Sequence, residues 1–135
     1  MKVVLLAGLV AGLSMAASAA SAVDQIKSED FKTDAATCAG AYGALADTRQ
    51  RMADTWPIFK QSNIFEIDYP GRRDKLMVGA GPDLKIGQAA YETQFKTALV
   101  GSIIDKNGRQ LGEVLKVAAR CDYANNTMPT FTPPK

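Results

Sequence analysis

Apolar residues recur every three or four positions in three stretches of the chain, a spacing that places them on one face of a helix. The first stretch, Ser28 to roughly Thr55, opens with a candidate N-cap serine followed by two acidic residues. Pro57 disfavours helical geometry just beyond its end. We therefore predict a helix with one buried face. Its apolar residues are Phe31, Ala35, Cys38, Ala39, Tyr42, Leu45, Ala46, Met52 and Trp56.

Two further helices are predicted in the second half of the chain. One begins with Pro82 at its first position and runs to about Asp105, and the other covers roughly Gly108 to Tyr123. The tripeptide Lys106-Asn107-Gly108 between them suits a tight turn in which either of its last two residues is left-handed. The two helices should be antiparallel neighbours. Their predicted buried faces comprise Ile86, Ala90, Tyr91, Phe95, Ala98, Leu99, Ser102 and Ile103, then Leu111, Val114, Leu115, Ala118 and Cys121.

The connection from Trp56 to Gly81 lacks a helical period. Phe65, Ile67 and Tyr69 alternate with acidic residues as in a strand, but no other stretch offers a partner strand, so an extended arm or irregular loop is expected. The stretch from Arg72 to Val78 is long enough for a turn or two of helix. The predicted fold is therefore all-α: a small bundle of three main helices plus a short helix, with an irregular or extended connection.

The amino terminus has the pattern of a secretory signal. Lys2 precedes an apolar run, Val3 to Met15, that is too short to span a bilayer and is followed by small residues. Cleavage after Ala19 or Ala22 would satisfy the small-x-small rule, and Ala22 is favoured. We expect a signal peptide over 1–22, one helical domain over 23–124 and an extended tail over 125–135. The mature protein would be periplasmic or secreted, with no integral membrane segment.

The chain contains two cysteines, Cys38 and Cys121, and each falls on the apolar face of its helix. Redox-active pairs generally lie close in sequence, whereas these are 83 positions apart. In an oxidising compartment an even pair of cysteines usually forms a bridge. We predict a structural disulfide between them.

The composition excludes several kinds of chemistry. Histidine is absent from all 135 residues, which removes histidine-dependent nucleophilic triads, the commonest zinc sites and histidine-ligated haem. Lys2 belongs to the predicted signal peptide, so the mature chain would have 15 basic and 14 acidic residues. Its longest basic run is Arg72-Arg73. This charge pattern argues against nucleic-acid binding. We predict no catalytic residues, no metal site and no cofactor.

Aromatic residues are concentrated in the irregular connection. Trp56, Phe59, Phe65 and Tyr69 are four of the ten aromatic residues in the chain. They could form a lid packed on the core, or they could anchor a partner protein. If part of the segment is exposed, these four residues are the candidate partner-binding site.

These observations lead to a functional expectation of protein–protein interaction without catalysis, as an accessory subunit, adaptor or holdase-like factor. The alternative is a binder of a small apolar ligand inside the bundle, since small residues such as Gly40 and Gly43 along the first helix could leave a cavity. An enzyme without histidine chemistry is the third possibility. The partner is expected to be another protein, and the sequence does not indicate an oligomeric state.

Overall fold

Residues 25–127 are described by a computed structural model, and they form four α-helices joined by short turns. The helices are α1 (Ala35–Thr55), α2 (Tyr69–Leu76), α3 (Pro82–Asp105) and α4 (Arg109–Ala124). No strand occurs in this part of the chain, so the all-α prediction is confirmed. The predicted signal peptide and most of the tail lie outside the described residues.

The first helix begins later than predicted, at Ala35 instead of Ser28. Asp34 is its N-cap, and the Asp34 side chain accepts a hydrogen bond of 2.9 Å from the Thr37 amide. Ser28–Asp30 forms a separate 3-10 turn. The reason lies in α4, because the Arg120 guanidinium donates to the carbonyls of Ser28 and Phe31 and so engages backbone groups that a longer helix would use.

The connection after α1 consists of two 3-10 turns, Pro57–Gln61 and Asn63–Phe65, instead of an extended arm. Helix α2 then starts at Tyr69, three residues before the predicted Arg72. Its N-cap is Asp68, whose side chain accepts from the Gly71 amide at 3.0 Å. The expectation of an irregular connection followed by a short helix therefore holds, with the cap deciding where the helix begins.

The turn between α3 and α4 is tight, as predicted, but its left-handed residue is Lys106, with φ of 53°. The amides of Lys106 and Asn107 donate to the carbonyls of Ile103 and Ser102. These bonds close the end of α3 in the manner of a C-terminal cap. Asn107 does not take the left-handed position, and its side chain accepts from the Arg109 amide at 3.0 Å at the start of α4.

Helix α1 lies at the centre of the fold and packs against α2, α3 and α4. In α3, Phe95 and Leu99 are buried as predicted, whereas Ile86 and Ala90 are exposed, contrary to expectation. At about 100° per residue, these two lie on the opposite side of the helix from the buried pair. The predicted apolar face of α3 thus combined two different faces.

The predicted disulfide is present. Cys38 of α1 and Cys121 of α4 are both buried, and their Cα atoms are 5.7 Å apart, within the range that a bridge requires. The bridge joins the amino-terminal half of α1 to the carboxyl-terminal half of α4. Among the described helices, none is long and apolar enough to cross a lipid bilayer.

Candidate functional site

A buried polar cluster lies beside the disulfide. Asp122 follows Cys121 on α4, and Tyr42 lies one turn beyond Cys38 on α1. The Tyr42 hydroxyl donates to Asp122 Oδ1 at 2.6 Å, and Arg72 of α2 donates to the same oxygen at 3.0 Å. Three helices therefore meet at one carboxylate.

Burial dominates the electrostatics of this cluster. Loss of water around Asp122 raises the pKa of its carboxyl above the usual range, against the opposing effects of Tyr42 and Arg72. Burial, reinforced by the Asp122 carboxylate, also raises the pKa of Tyr42. Asp122 Oδ2 is buried and accepts no hydrogen bond from the described residues. The Asp122 carboxyl therefore takes up a proton more readily than a solvated aspartate does. The Tyr42 phenol keeps its proton and remains a hydrogen-bond donor.

The structure places two of the four predicted aromatic site residues inside the core. Tyr69 is fully buried, and its ring stacks on that of Tyr42 with centroids 6.1 Å apart. The guanidinium of Arg49 lies 6.0 Å from the centroid of the Tyr69 ring. Phe59 is also buried, and its ring meets Trp56 edge-on at 6.2 Å. For Tyr69 and Phe59, burial favours the lid interpretation over partner binding.

The same segment presents three other apolar side chains to solvent, which we call the cover surface: Trp56, Ile58 and Phe65. Ile58 is 50% exposed, Phe65 is 41% exposed, and Trp56 is half-buried. Counting aromatic residues did not identify Ile58 because isoleucine is aliphatic.

The cover surface rests on well-anchored backbone. Phe59, Ile64 and Ile67 are buried beneath it. The Ser62 hydroxyl donates to the Phe59 carbonyl at 2.9 Å, and Arg49 donates to the Ile67 carbonyl at 2.8 Å. Buried apolar side chains therefore lie among exposed ones on a segment that Arg49 of α1 helps to hold in place.

Gly40 of α1 lets α3 approach closely and leaves no room for an interior ligand at that position. A Cβ atom built on Gly40 would lie 2.6 Å from Tyr91 Cβ and 2.8 Å from the Glu92 backbone nitrogen, whereas one on Gly43 would meet the flexible end of the Glu92 side chain. Partial burial, together with nearby Asp47, raises the pKa of Glu92. A groove of about 820 Å³ runs instead along the outside of α3 and is open to solvent.

No known protein family, curated protein or solved structure matches the chain. Among residues 25–127, no three histidine, cysteine, aspartate or glutamate side chains are grouped as metal ligands would be. The candidate site is thus defined by the geometry of this chain alone. It is the cover surface, on a segment that ends at Tyr69, whose ring stacks on Tyr42 of the buried cluster.

Proposed function

We propose that this protein is an exported, non-catalytic factor that binds another protein through the cover surface. The observation that supports the proposal is the exposure of Ile58 and Phe65 on a segment that also carries the buried residues Phe59, Ile64 and Ile67. A monomeric protein gains nothing in stability from exposing such side chains, whereas an interface gains contact area. The half-buried Trp56 adds a residue type that is enriched at binding hot spots.

The fixed backbone beneath the cover surface favours a defined partner. Side chains on a preorganised segment lose less conformational entropy on binding than those on a mobile loop. The exposed Lys60 and Glu66 of the same segment supply one charge of each sign near the apolar residues. An apolar centre with a charged rim is the usual layout of a specific interface.

Among the three roles predicted from the sequence, this arrangement favours an accessory subunit or adaptor over a holdase. A holdase must hold many unfolded chains and so benefits from a large or adaptable apolar surface. The cover surface is small and its backbone is anchored by Ser62 and Arg49. We expect one protein partner in a defined stoichiometry.

Photo-crosslinking in the source organism tests the proposal. A photoreactive amino acid at Ile58 should give one discrete crosslinked partner, which mass spectrometry then identifies. The matched control is the same amino acid at Val78, which is also apolar and is 81% exposed but lies outside the cover surface. The Val78 position should not capture that partner.

A pair of charged substitutions provides a second test of the proposed interface. Ile58→Asp with Phe65→Asp should abolish recovery of the partner without changing the melting temperature by more than a few degrees, because both side chains are exposed. Val78→Asp should leave recovery unchanged. Retention of the partner by the Ile58/Phe65 variant would overturn the proposal.

A further inference from the structure

The centre of the outward face of α3 is uncharged, and Lys96 at its edge pairs with Asp47 of α1 at 3.2 Å. The end residues of this face, Ile86 and Ile104, are 69% and 72% exposed. Solvent-facing sides of helices normally carry charged residues, so this face differs from the ordinary pattern. The residues that form it are Ile86, Ala89, Ala90, Thr93, Gln94, Thr97, Val100, Gly101 and Ile104.

Six of these residues form a regular seam, which we call the α3 stripe. Their spacing alternates between four and three residues, as the a and d positions of a heptad repeat do. All six side chains of the α3 stripe are exposed or half-buried. The α3 stripe consists of Ile86, Ala90, Thr93, Thr97, Val100 and Ile104.

The α3 stripe has nearly the same order from either end. Isoleucine stands at both ends, a small apolar residue stands next, and two threonines occupy the middle. An interface between identical subunits related by a two-fold axis uses the same patch on both, so the patch must complement itself when reversed. An antiparallel pair of α3 helices meets this requirement.

We propose that α3 of one molecule packs antiparallel against α3 of a second copy of this chain. Ile86 then faces Ile104 of the second copy, and Ala90 faces Val100 of the second copy. Thr93 faces Thr97 of the second copy, where the two hydroxyls can exchange hydrogen bonds. This interface is separate from the cover surface and does not depend on the function proposed above.

The charges at the ends of α3 favour the antiparallel arrangement. Continuing the seam by three residues reaches Asp83 at the amino-terminal end and the α3–α4 turn at the other. Asp105, Lys106 and Arg109 give that turn a net charge of +1. Antiparallel packing brings Asp83 opposite that basic turn of the second copy. A parallel pair would bring the two Asp83 carboxylates to the same level, where they repel each other.

The size of the α3 stripe indicates a weak dimer. From Ile86 to Ile104 the helix rises about 27 Å, and a helix is about 10 Å wide. One face of that size buries only about 300 Å² per molecule, below the roughly 800 Å² per partner of a standard interface. The groove along α3 is lined by stripe residues such as Thr97 and Val100, and Arg109 and Gln110 on its α4 side add some contact. Association should therefore be weak and seen only at high protein concentration.

Sedimentation velocity over a concentration series, from about 5 µM to about 1 mM, measures the association. The wild-type protein should pass from monomer to dimer across the series. Thr97→Glu should weaken association at least about tenfold, because it buries a carboxylate in each half of the interface. Ile58→Glu, on the cover surface, should leave it unchanged. Thr97 is exposed, so circular dichroism should show that the variant folds normally.

The register has its own test. An equimolar mixture of Ile86→Cys and Ile104→Cys proteins, treated with a short bismaleimide at high concentration, should give crosslinks between the two variants. Ile86→Cys alone should give few. A monomer at every concentration, a dimer unaffected by Thr97→Glu, or efficient crosslinking of Ile86→Cys to itself would overturn the proposal.

Discussion

The Tyr42 hydroxyl donates a hydrogen bond of 2.6 Å to Asp122 Oδ1, joining residues 80 positions apart in the chain. Arg72 donates to the same oxygen, so this one atom connects α1, α2 and α4. The disulfide joins the residue before Asp122 to the residue four before Tyr42. A covalent bond and a buried polar cluster therefore hold the same junction.

The raised pKa of Asp122 predicts a specific pH dependence. Its carboxyl takes up a proton at higher pH in the folded protein than in the unfolded chain, because burial disfavours the charged form. Between the usual pKa and the folded pKa, the native state binds more protons, so this group's contribution to stability rises as the pH falls. Asp122→Asn lacks this effect. The advantage of wild type over the variant in urea unfolding should grow as the pH is lowered towards the usual aspartate pKa.

Asp34 provides a control, because its pKa is shifted in the opposite direction from that of Asp122. Hydrogen bonds from Thr37 lower the pKa of the Asp34 carboxyl, so its contribution to stability is present above the usual aspartate pKa and is lost as the pH falls through the lowered folded value. The advantage of wild type over Asp34→Asn should shrink on acidification. If the Asp122→Asn difference also shrinks, the ion pair with Arg72 outweighs burial and the prediction fails.

Loss of the disulfide should strongly destabilise the fold. Cys38 and Cys121 close a loop with a sequence separation of 83. The chain-entropy estimate for a loop of that length is about 4–5 kcal/mol. The double variant Cys38→Ala/Cys121→Ala should lose a stability of this order in denaturant unfolding. Non-reducing peptide mapping of the wild type should recover the two cysteine peptides linked, and freely alkylated thiols in the native protein would contradict the assignment.

The contact between α1 and α3 should be sensitive to one added methyl group. Gly40→Ala would bring a Cβ atom within 2.6 Å of Tyr91 Cβ and 2.8 Å of the Glu92 backbone nitrogen, so the helices must separate. Such overpacking costs about 1–3 kcal/mol. Gly112→Ala in α4 is the matched control, because nothing lies within 4 Å of the added atom. It should stabilise the protein by about 0.5–1 kcal/mol in chemical denaturation.

Two aromatic residues of the irregular connection should behave differently on truncation. Tyr69 is fully buried, so Tyr69→Ala should cost about 3–5 kcal/mol of stability. Phe65 is 41% exposed, so Phe65→Ala should cost about 1 kcal/mol or less. Thermal unfolding of both variants measures the contrast. Similar losses for the two residues would show that Phe65 belongs to the core and would remove it from the cover surface.

The sequence alone was sufficient to predict the main helices and the disulfide bridge. The 3.6-residue period of α1, α3 and α4 is a local property of side-chain order, and it placed Cys38 and Cys121 on buried faces before any contact was known. At Gly40 the sequence suggested a possible cavity, whereas the structure places Tyr91 of α3 against this position. The loss of helical period after Trp56 also indicated an irregular connection before a short helix, which the structure places at Tyr69–Leu76.

Tertiary contacts determined where α1 begins and which face of α3 is buried, two features that the local sequence pattern left ambiguous. Ser28 has the features of a helix start, yet Arg120, more than ninety positions away, binds its carbonyl and α1 begins after Asp34. Helix α3 has two weakly polar faces, and only the position of α1 determines that Phe95 points inward and Ile86 outward. Helix period depends on neighbours along the chain, whereas burial depends on which elements meet. For that reason the sequence predicted the helices, and the packing of α1 determined which surfaces remain exposed to solvent.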